Sequence, residues 1–325
     1  MAKNKITVLL EGHEEIASEG IQLLEEKNYE LFFPKSIDEL LSNEEIRSSN
    51  ALLVRGAIIE RELIESMPNL KVIARSGVGT DNIDLEAATD ANVFVCNVPD
   101  ANFTSVAEHV IGMLVSLSHQ IVNGDRAIRK GQFDARHQYM GSELTGKTIG
   151  VIGFGRIGQL VAKKCVQGLD MSVLAYDPYV KETDLEAVEL VDSTDDIFEN
   201  ADFITLHLPY IPSLHHFINA DVFKKMKKTA YIINCARGGL IDEVALADAI
   251  KHGEIAGAGI DVYQNEPPEK DHVLWDVENV IATPHMGAST NESLTRMAVG
   301  AVKEIIRVLD GEQPVNALNN IKLKM

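Results

Sequence analysis

The sequence predicts an α/β protein made of two domains with parallel sheets, and three observations carry that expectation. Short apolar runs alternate with amphipathic helical stretches along most of the chain, the pattern of βαβ units. The alternation comes as two series, one over residues 1–103 and one from residue 148 onward. The second series opens on a strand, a glycine-rich turn and a helix, "TIGVIGFGRIG" at 148–158.

In the first series the strand candidates are "ITVLL" (6–10), "YELFF" (29–33), "ALLVR" (51–55), "KVIAR" (71–75) and "VFVCN" (93–97). The stretch 14–26 between the first two reads as a helix, with Ile16, Gly20, Leu23 and Leu24 on one face. Residues 104–122 read as one long helix, buried or at an interface, followed by a polar segment to about Thr145. Strands are then expected at 148–154, 171–177, 203–208, 230–236, 256–262 and 280–284. A last helix over 288–311 carries Leu294, Met297, Val302, Ile305, Ile306 and Leu309.

The bulk numbers exclude several classes. With 30 basic against 49 acidic side chains the formal charge is −19, which argues against nucleic acid and against an anionic membrane surface. Solubility is the plainest reading of that charge. A small anion can still bind beside a few arginines, since charges beyond roughly 8 Å are screened. Cys96, Cys165 and Cys235 have no short spacing, so neither a zinc ribbon nor a disulfide framework is expected. The N-terminus lacks a secretory apolar region, and the uncharged run 110–124 is shorter than the ~18 residues of a membrane span. A cytoplasmic protein is expected.

Gly153, Gly155 and Gly158 form the turn, with Arg156 and Ile157 between the last two. Such a turn brings backbone N–H groups to a pyrophosphate at a helix N-terminus. Asp177 closes the next strand, where a carboxylate accepts hydrogen bonds from ribose hydroxyls and repels a 2′-phosphate. NAD is therefore the expected cofactor, ahead of NADP.

Three later strand ends carry polar groups: "NCARGG" (234–239) with Arg237, "GIDVYQNEPP" (259–268) with Asp261 and Glu266, and "TPHMGAST" (283–290) with His285. Taken singly, each has a plainer reading as a loop, surface or ion-pair residue. Together they supply the groups that a hydride transfer at the C2 carbon of a 2-hydroxy or 2-keto acid requires. Arginine clamps a carboxylate in a planar fork, histidine exchanges the proton, and a carboxylate orients the imidazole.

These segments, with "RSGVGTDNID" (75–84), "NVPDANFTSVAEH" (97–109) and "INCARGGLIDEVAL" (233–246), resemble the D-isomer-specific 2-hydroxyacid dehydrogenase family over essentially the whole chain. The resemblance implies two Rossmann/flavodoxin-like domains. The NAD-binding one (104–288) is inserted into a discontinuous substrate-binding one (1–103 and 289–325). It implies Arg237, Glu266 and His285 as catalytic residues, with His285 as acid/base and no metal. NAD contacts would fall on Gly153, Gly155, Arg156, Ile157, Gly158, Asp177, Leu208, Cys235, Ala236, Asp261, Gly287 and Ala288. Substrate residues would be Arg55, Arg75, Ser76, Gly77, Val78, Gly79 and Asn102, the 76–79 loop holding the carboxylate by backbone N–H groups. A homodimer through the NAD-binding domain is implied, and the apolar helix near 104–122 suits it.

Arg55 in "LLVRG" and Arg75 make a phosphorylated acid, 3-phospho-D-glycerate, the favoured substrate. An unphosphorylated acid, as in a glyoxylate or hydroxypyruvate reductase, is the rival. An NAD(H)-sensing corepressor-like protein is the rival of another class. Ile211 and Leu214 stand where many relatives carry threonine, and "FDARHQYMG" (133–141) replaces a tryptophan-containing stretch. The sequence ends at Met325, so control through a further regulatory domain is not expected.

Overall fold

In the computed structural model, residues 3–10 and 18–322 are described, and among them twelve strands form two sheets in which every pairing is parallel. Ile16 of the expected first helical face lies outside the described residues. The chain divides into two compact units, residues 1–102 with 289–325, and residues 103–288.

The first unit runs β1 (Lys5–Leu9), α1 (Ser18–Glu26), β2 (Glu30–Phe32), α2 (Ile37–Ser42), α3 (Glu44–Arg47), β3 (Ala51–Val54), α4 (Arg61–Ser66), β4 (Val72–Arg75), α5 (Leu85–Asp90) and β5 (Phe94–Cys96). Its strand order is β2-β1-β3-β4-β5, the flavodoxin-like order, with the switch point between β1 and β3. β3 is buried along its whole length, as a central strand covered on both faces must be. The final helix, Asn291–Leu309, packs against α1 and β4 of the same unit. Thr290 caps it by accepting the Ser293 N–H at 3.2 Å. The chain beyond it then covers the β5 edge. Leu318 N–H donates to the Val95 carbonyl at 2.8 Å, and the Asn319 side chain bonds Val95 N–H and the Val93 carbonyl. An open edge strand is thereby closed.

The second unit runs α6 (Phe103–Ser118), α7 (Ile121–Arg129), β6 (Thr148–Ile152), α8 (Arg156–Leu169), β7 (Ser172–Tyr176), β8 (Val188–Leu190), α9 (Thr194–Asn200), β9 (Phe203–Leu206), α10 (Ala220–Lys225), β10 (Tyr231–Asn234), α11 (Glu243–Lys251), β11 (Gly257–Ile260) and β12 (Val280–Ala282). The order β12-β11-β10-β9-β6-β7-β8 is the doubly wound dinucleotide-fold order with one strand added, and its switch point lies between β6 and β9. Ligands of such sheets sit beyond the carboxyl ends of the strands at that point.

Three details depart from the sequence expectation. The helix expected over 104–122 ends at Ser118, because Gln120 takes a left-handed φ of +56° and its side-chain amide donates to the Leu117 carbonyl, satisfying an orphan helix-end acceptor. The polar segment that follows contains α7 and a 3₁₀ turn at Phe133–His137. β8 is an unexpected edge strand of three residues, too short for its alternation to stand out.

Asp202 clasps the start of the second sheet. It accepts the Thr148 N–H at 2.9 Å and the Lys227 ammonium at 3.0 Å. Burial opposes its charge, but those two donors outweigh it and hold the carboxyl below its ordinary 3.8. A depressed folded-state value stabilises the fold above the ordinary carboxylate range, and that stabilisation is lost as pH falls through the folded value. Asp202→Asn is expected to lower stability at pH 7 by roughly 1 kcal/mol, a modest figure for a partly solvated pair. The gap from wild type should narrow as pH falls below the ordinary carboxylate range, which urea melts at neutral and acid pH check.

Candidate active site

The glycine turn has the steric logic of a dinucleotide site. Gly153 has φ +94°, and a Cβ there would lie 2.6 Å from the His207 carbonyl, so the turn after β6 packs directly on the turn after β9. A Cβ on Gly158 would lie 2.2 Å from the Gly153 carbonyl, which lets the α8 backbone close onto the strand. Gly155, the N-cap, offers no side-chain cap, and a Cβ on it would meet nothing within 4 Å. Space and backbone N–H groups thus coincide at the start of α8, where Arg156 and Ile157 form the first turn. The residues present fit a dinucleotide pyrophosphate.

Asp177 follows β7 directly and does more than end a strand. Its Oδ2 accepts the Phe154 N–H and its Oδ1 the Tyr179 N–H, both at 2.9 Å. The carboxylate proposed for the ribose therefore also shapes the glycine turn. Leu208 follows β9, and Cys235 and Ala236 follow β10. The Ala236 N–H is held by Asn234 Oδ1 at 3.0 Å. Burial, with the nearby Asp261 charge, pushes the Cys235 thiol well up, which keeps it from being a thiolate.

Of the three residues with expected chemistry, the structure joins two directly. His285 Nδ1 lies 2.6 Å from Glu266 Oε2, while Glu266 Oε1 accepts the Tyr263 N–H at 3.0 Å. Burial opposes the Glu266 charge, but the hydrogen bonds from His285 and Tyr263 and the charges of His285 and Arg237 outweigh it. The carboxyl is held below its ordinary 4.5, so it is an acceptor at neutral pH. Nδ1 must then carry the proton of that bond, which leaves Nε2 as the ring nitrogen for exchange with a ligand. Arg237 sits at the N-cap of the turn Gly238–Leu240, its Nη1 donating to the Ala236 carbonyl at 2.7 Å. A Cβ on Gly238 would fall 1.9 Å from the Tyr263 carbonyl carbon. The arginine turn and the segment leading to Glu266 are in backbone contact for that reason.

Asp261 is 1% exposed. Its Oδ1 accepts the Thr283 hydroxyl at 2.6 Å and the Met286 N–H at 2.8 Å, and its Oδ2 accepts the Gly287 N–H at 2.8 Å. Its own carbonyl accepts the His285 N–H at 2.8 Å. Three successive N–H groups thus converge on one residue, a backbone nest, and His285 takes φ +49° to allow it. Ala288 ends this turn. Sequence reasoning missed Tyr263, Thr283 and His109, the last on α6 and 3.1 Å from Thr283 Oγ1; a helix histidine inside an apolar run gives no pattern of its own.

In the first unit, Arg55 follows β3, Arg75 ends β4, and Ser76 to Gly79 form the next loop. Ser76 N–H is spent on the Val54 carbonyl at 2.7 Å and Gly77 N–H on the Arg75 carbonyl at 2.9 Å. A Cβ on Gly77 would lie 2.0 Å from Arg75 Nη1, so the guanidinium lies against this glycine. Asn102, half-buried, is the last residue of this part of the unit.

Residues 111–287 match the model of the D-isomer specific 2-hydroxyacid dehydrogenase NAD binding domain, and the chain belongs to that family. The D-3-phosphoglycerate dehydrogenase of Methanocaldococcus jannaschii is 44% identical over 305 residues, 93% of this chain and 57% of that protein. The apo-structure of D-lactate dehydrogenase from Escherichia coli superposes with a TM-score of 0.84 at 31% identity, covering 97% of this chain and all of that one. The NAD-dependent formate dehydrogenase of Staphylococcus aureus, solved with NAD, gives 0.84 at 30% identity over 98% of this chain and 99% of that one. Against curated relatives the chain spans about half the length, between 49% and 58% for the proteins from Methanocaldococcus jannaschii, Archaeoglobus fulgidus, Arabidopsis thaliana and Bacillus subtilis. Among the described residues no helix is long and apolar enough to cross a membrane.

Proposed function

We propose that the protein is a cytoplasmic NAD-dependent dehydrogenase that interconverts a D-2-hydroxy acid and its 2-keto acid, with 3-phospho-D-glycerate as the hydroxy acid. The observation that carries the chemistry is the 2.6 Å bond between His285 Nδ1 and Glu266, in the unit that also holds the glycine turn and Arg237. Gly153, Gly155, Arg156, Ile157, Gly158 and Asp177 hold the cofactor, with Leu208, Cys235, Ala236, Asp261, Gly287 and Ala288 along the other strand ends. Two-electron acceptance from C2 is the chemistry that NAD supplies when bound. His285 Nε2 takes the hydroxyl proton as the alcohol becomes a carbonyl, and returns it in reduction. Glu266 fixes the ring tautomer and balances the imidazolium charge. Arg237 binds the carboxylate and polarises the oxygen on C2.

The units take complementary roles in this reading: residues 103–288 bind NAD, and the remainder recognises the acid. Within the 76–79 loop the carboxylate falls to the Val78 and Gly79 N–H groups, because those of Ser76 and Gly77 are already engaged. Arg55 and Arg75 meet the phosphate. The relatives named D-3-phosphoglycerate dehydrogenase, at 37–44% identity, support that choice of acid.

A homodimer through the second unit forms part of the reading. Val110, Met113, Leu114 and Leu117 of α6 are buried within the core of this unit. The exposed apolar side chains lie just after it, at Ile121, Ile128, Phe133 and Met140, the last 79% exposed.

A panel of 2-keto acids with NADH tests the substrate assignment. Phosphohydroxypyruvate should exceed hydroxypyruvate in kcat/KM, and Arg55→Ala should erase that preference by raising KM; equal use of both acids would show that no phosphate site exists. His285→Ala is expected to cost about 10²–10⁴ in kcat, and Glu266→Gln a smaller part of the same factor, while NADH still binds by fluorescence titration. Phe133→Asp with Met140→Asp should convert a dimer to a monomer in sedimentation velocity.

A further inference from the structure

His109 is unused by the mechanism above, yet it stands at the root of the turn that carries His285. Its Nε2 lies 3.1 Å from Thr283 Oγ1 and 3.6 Å from Asp261 Oδ1. A Cβ on Gly287 would sit 3.7 Å from its ring, so the imidazole fills the space beside that glycine. The protons can be counted. Asp261 receives two backbone N–H groups and acts as an acceptor only. The single Thr283 hydroxyl proton therefore goes to Asp261, across 2.6 Å. Thr283 Oγ1 is left as an acceptor, and the His109 Nε2–H donates to it. The chain His109→Thr283→Asp261 is thus directional, and it ends on the carboxylate that holds the Met286 and Gly287 N–H groups next to His285.

His109, Cys235 and Asp261 also offer ligand atoms within 4.8 Å of one another. The Asp261 oxygens are already engaged by three donors, and the neighbouring thiol stays protonated. A hydrogen-bond relay accounts for the cluster; a metal cage does not.

We propose that His109 is a positioning residue: through Thr283 it locks the Asp261 carboxylate, and so holds residues 285–287 in the left-handed turn that presents the His285 imidazole to the substrate. This rests on the reading of His285 as acid/base. His285 is 51% exposed in its side chain, so neighbouring bulk does not hold the ring. Its placement comes from the Glu266 bond on one side and from its backbone on the other. The relay sets the backbone half.

Two pairs of variants separate donor loss from general damage. His109→Leu removes the donor, while His109→Gln places an amide N–H near the lost Nε2–H. Thr283→Val removes the hydroxyl at nearly constant volume, and Thr283→Ser keeps it. His109→Leu and Thr283→Val are expected to lower kcat by about 10²-fold and to speed amide exchange of the 283–288 peptide. His109→Gln and Thr283→Ser should restore most of both. Thr283→Val keeps the test open should His109→Leu not fold. Unchanged kcat in both donor-loss variants overturns the proposal, even if exchange accelerates. If the wild-type protein reduces no 2-keto acid, the dehydrogenase reading fails on that result alone. Exchange then decides the relay: unaltered exchange in the donor-loss variants overturns it, and acceleration reversed by Gln and Ser supports it.

Discussion

A carboxylate buried as deeply as that of Asp261 costs several kcal/mol unless its oxygens are paired. The chain supplies the pairing from its own backbone: the N–H groups of Met286 and Gly287 and the hydroxyl of Thr283 all close on the side chain. To aim those groups at one point, His285 must leave the ordinary backbone regions, at a cost of about 1–2 kcal/mol for a residue with a Cβ. The hydrogen bonds made in the turn offset both penalties. Loss of the carboxylate would leave a strained turn with orphaned donors, and loss of the turn would leave a buried charge. Because His285 lies within that turn, the position of the imidazole follows from the β11 end, and little tolerance is left at the residue that exchanges the proton.

Parallel sheets explain why so many polar side chains meet at one edge. Every strand of the second unit points the same way, so the segments after β6, β7, β9, β10, β11 and β12 emerge on a common side. The reversal of strand order between β6 and β9 opens a crevice there, and the contact of Gly153 with the His207 carbonyl marks its floor. The glycine turn, Asp177, Arg237, Asp261, Glu266 and His285 are all products of that single topological fact. Strand ends are the least constrained parts of such a sheet, and they can carry polar groups without breaking the core.

The parallel α/β architecture was legible in the sequence because buried parallel strands read as continuous apolar runs: "ALLV" at Ala51–Val54 is buried throughout. The pairing of His285 with Glu266 was legible only as a set of residue types at strand ends. Its 2.6 Å geometry depends on how β11 and β12 align, which no local pattern encodes. β8 escaped because three residues on a sheet edge carry too little periodicity. The break after Ser118 escaped because Gln120 is an unusual left-handed residue, stabilised by its own amide on Leu117 and by Tyr231 from β10. His109 escaped for a related reason. Its partners lie far along the chain, and a histidine in an apolar helix looks the same whether it donates to a threonine or to water.

The solved and curated relatives include proteins named for phosphoglycerate, lactate and formate, so the shared architecture cannot by itself choose the acid. Discrimination has to come from groups whose charge matches the part of the acid away from the reacting carbon. Arg75 is suited to that task by its position. Its guanidinium lies in the space that a Cβ on residue 77 would enter. Lying against Gly77, it brings to that loop the positive charge that favours an oxyanion over a neutral group. Arg55 follows β3, next to β1, where the order of the first sheet reverses. A doubly charged phosphate gains more from a second guanidinium than a single carboxylate does, because the attraction scales with the product of the charges. In the proposed function, two arginines at adjacent strand ends of the first unit are the electrostatic ground for a phosphorylated acid.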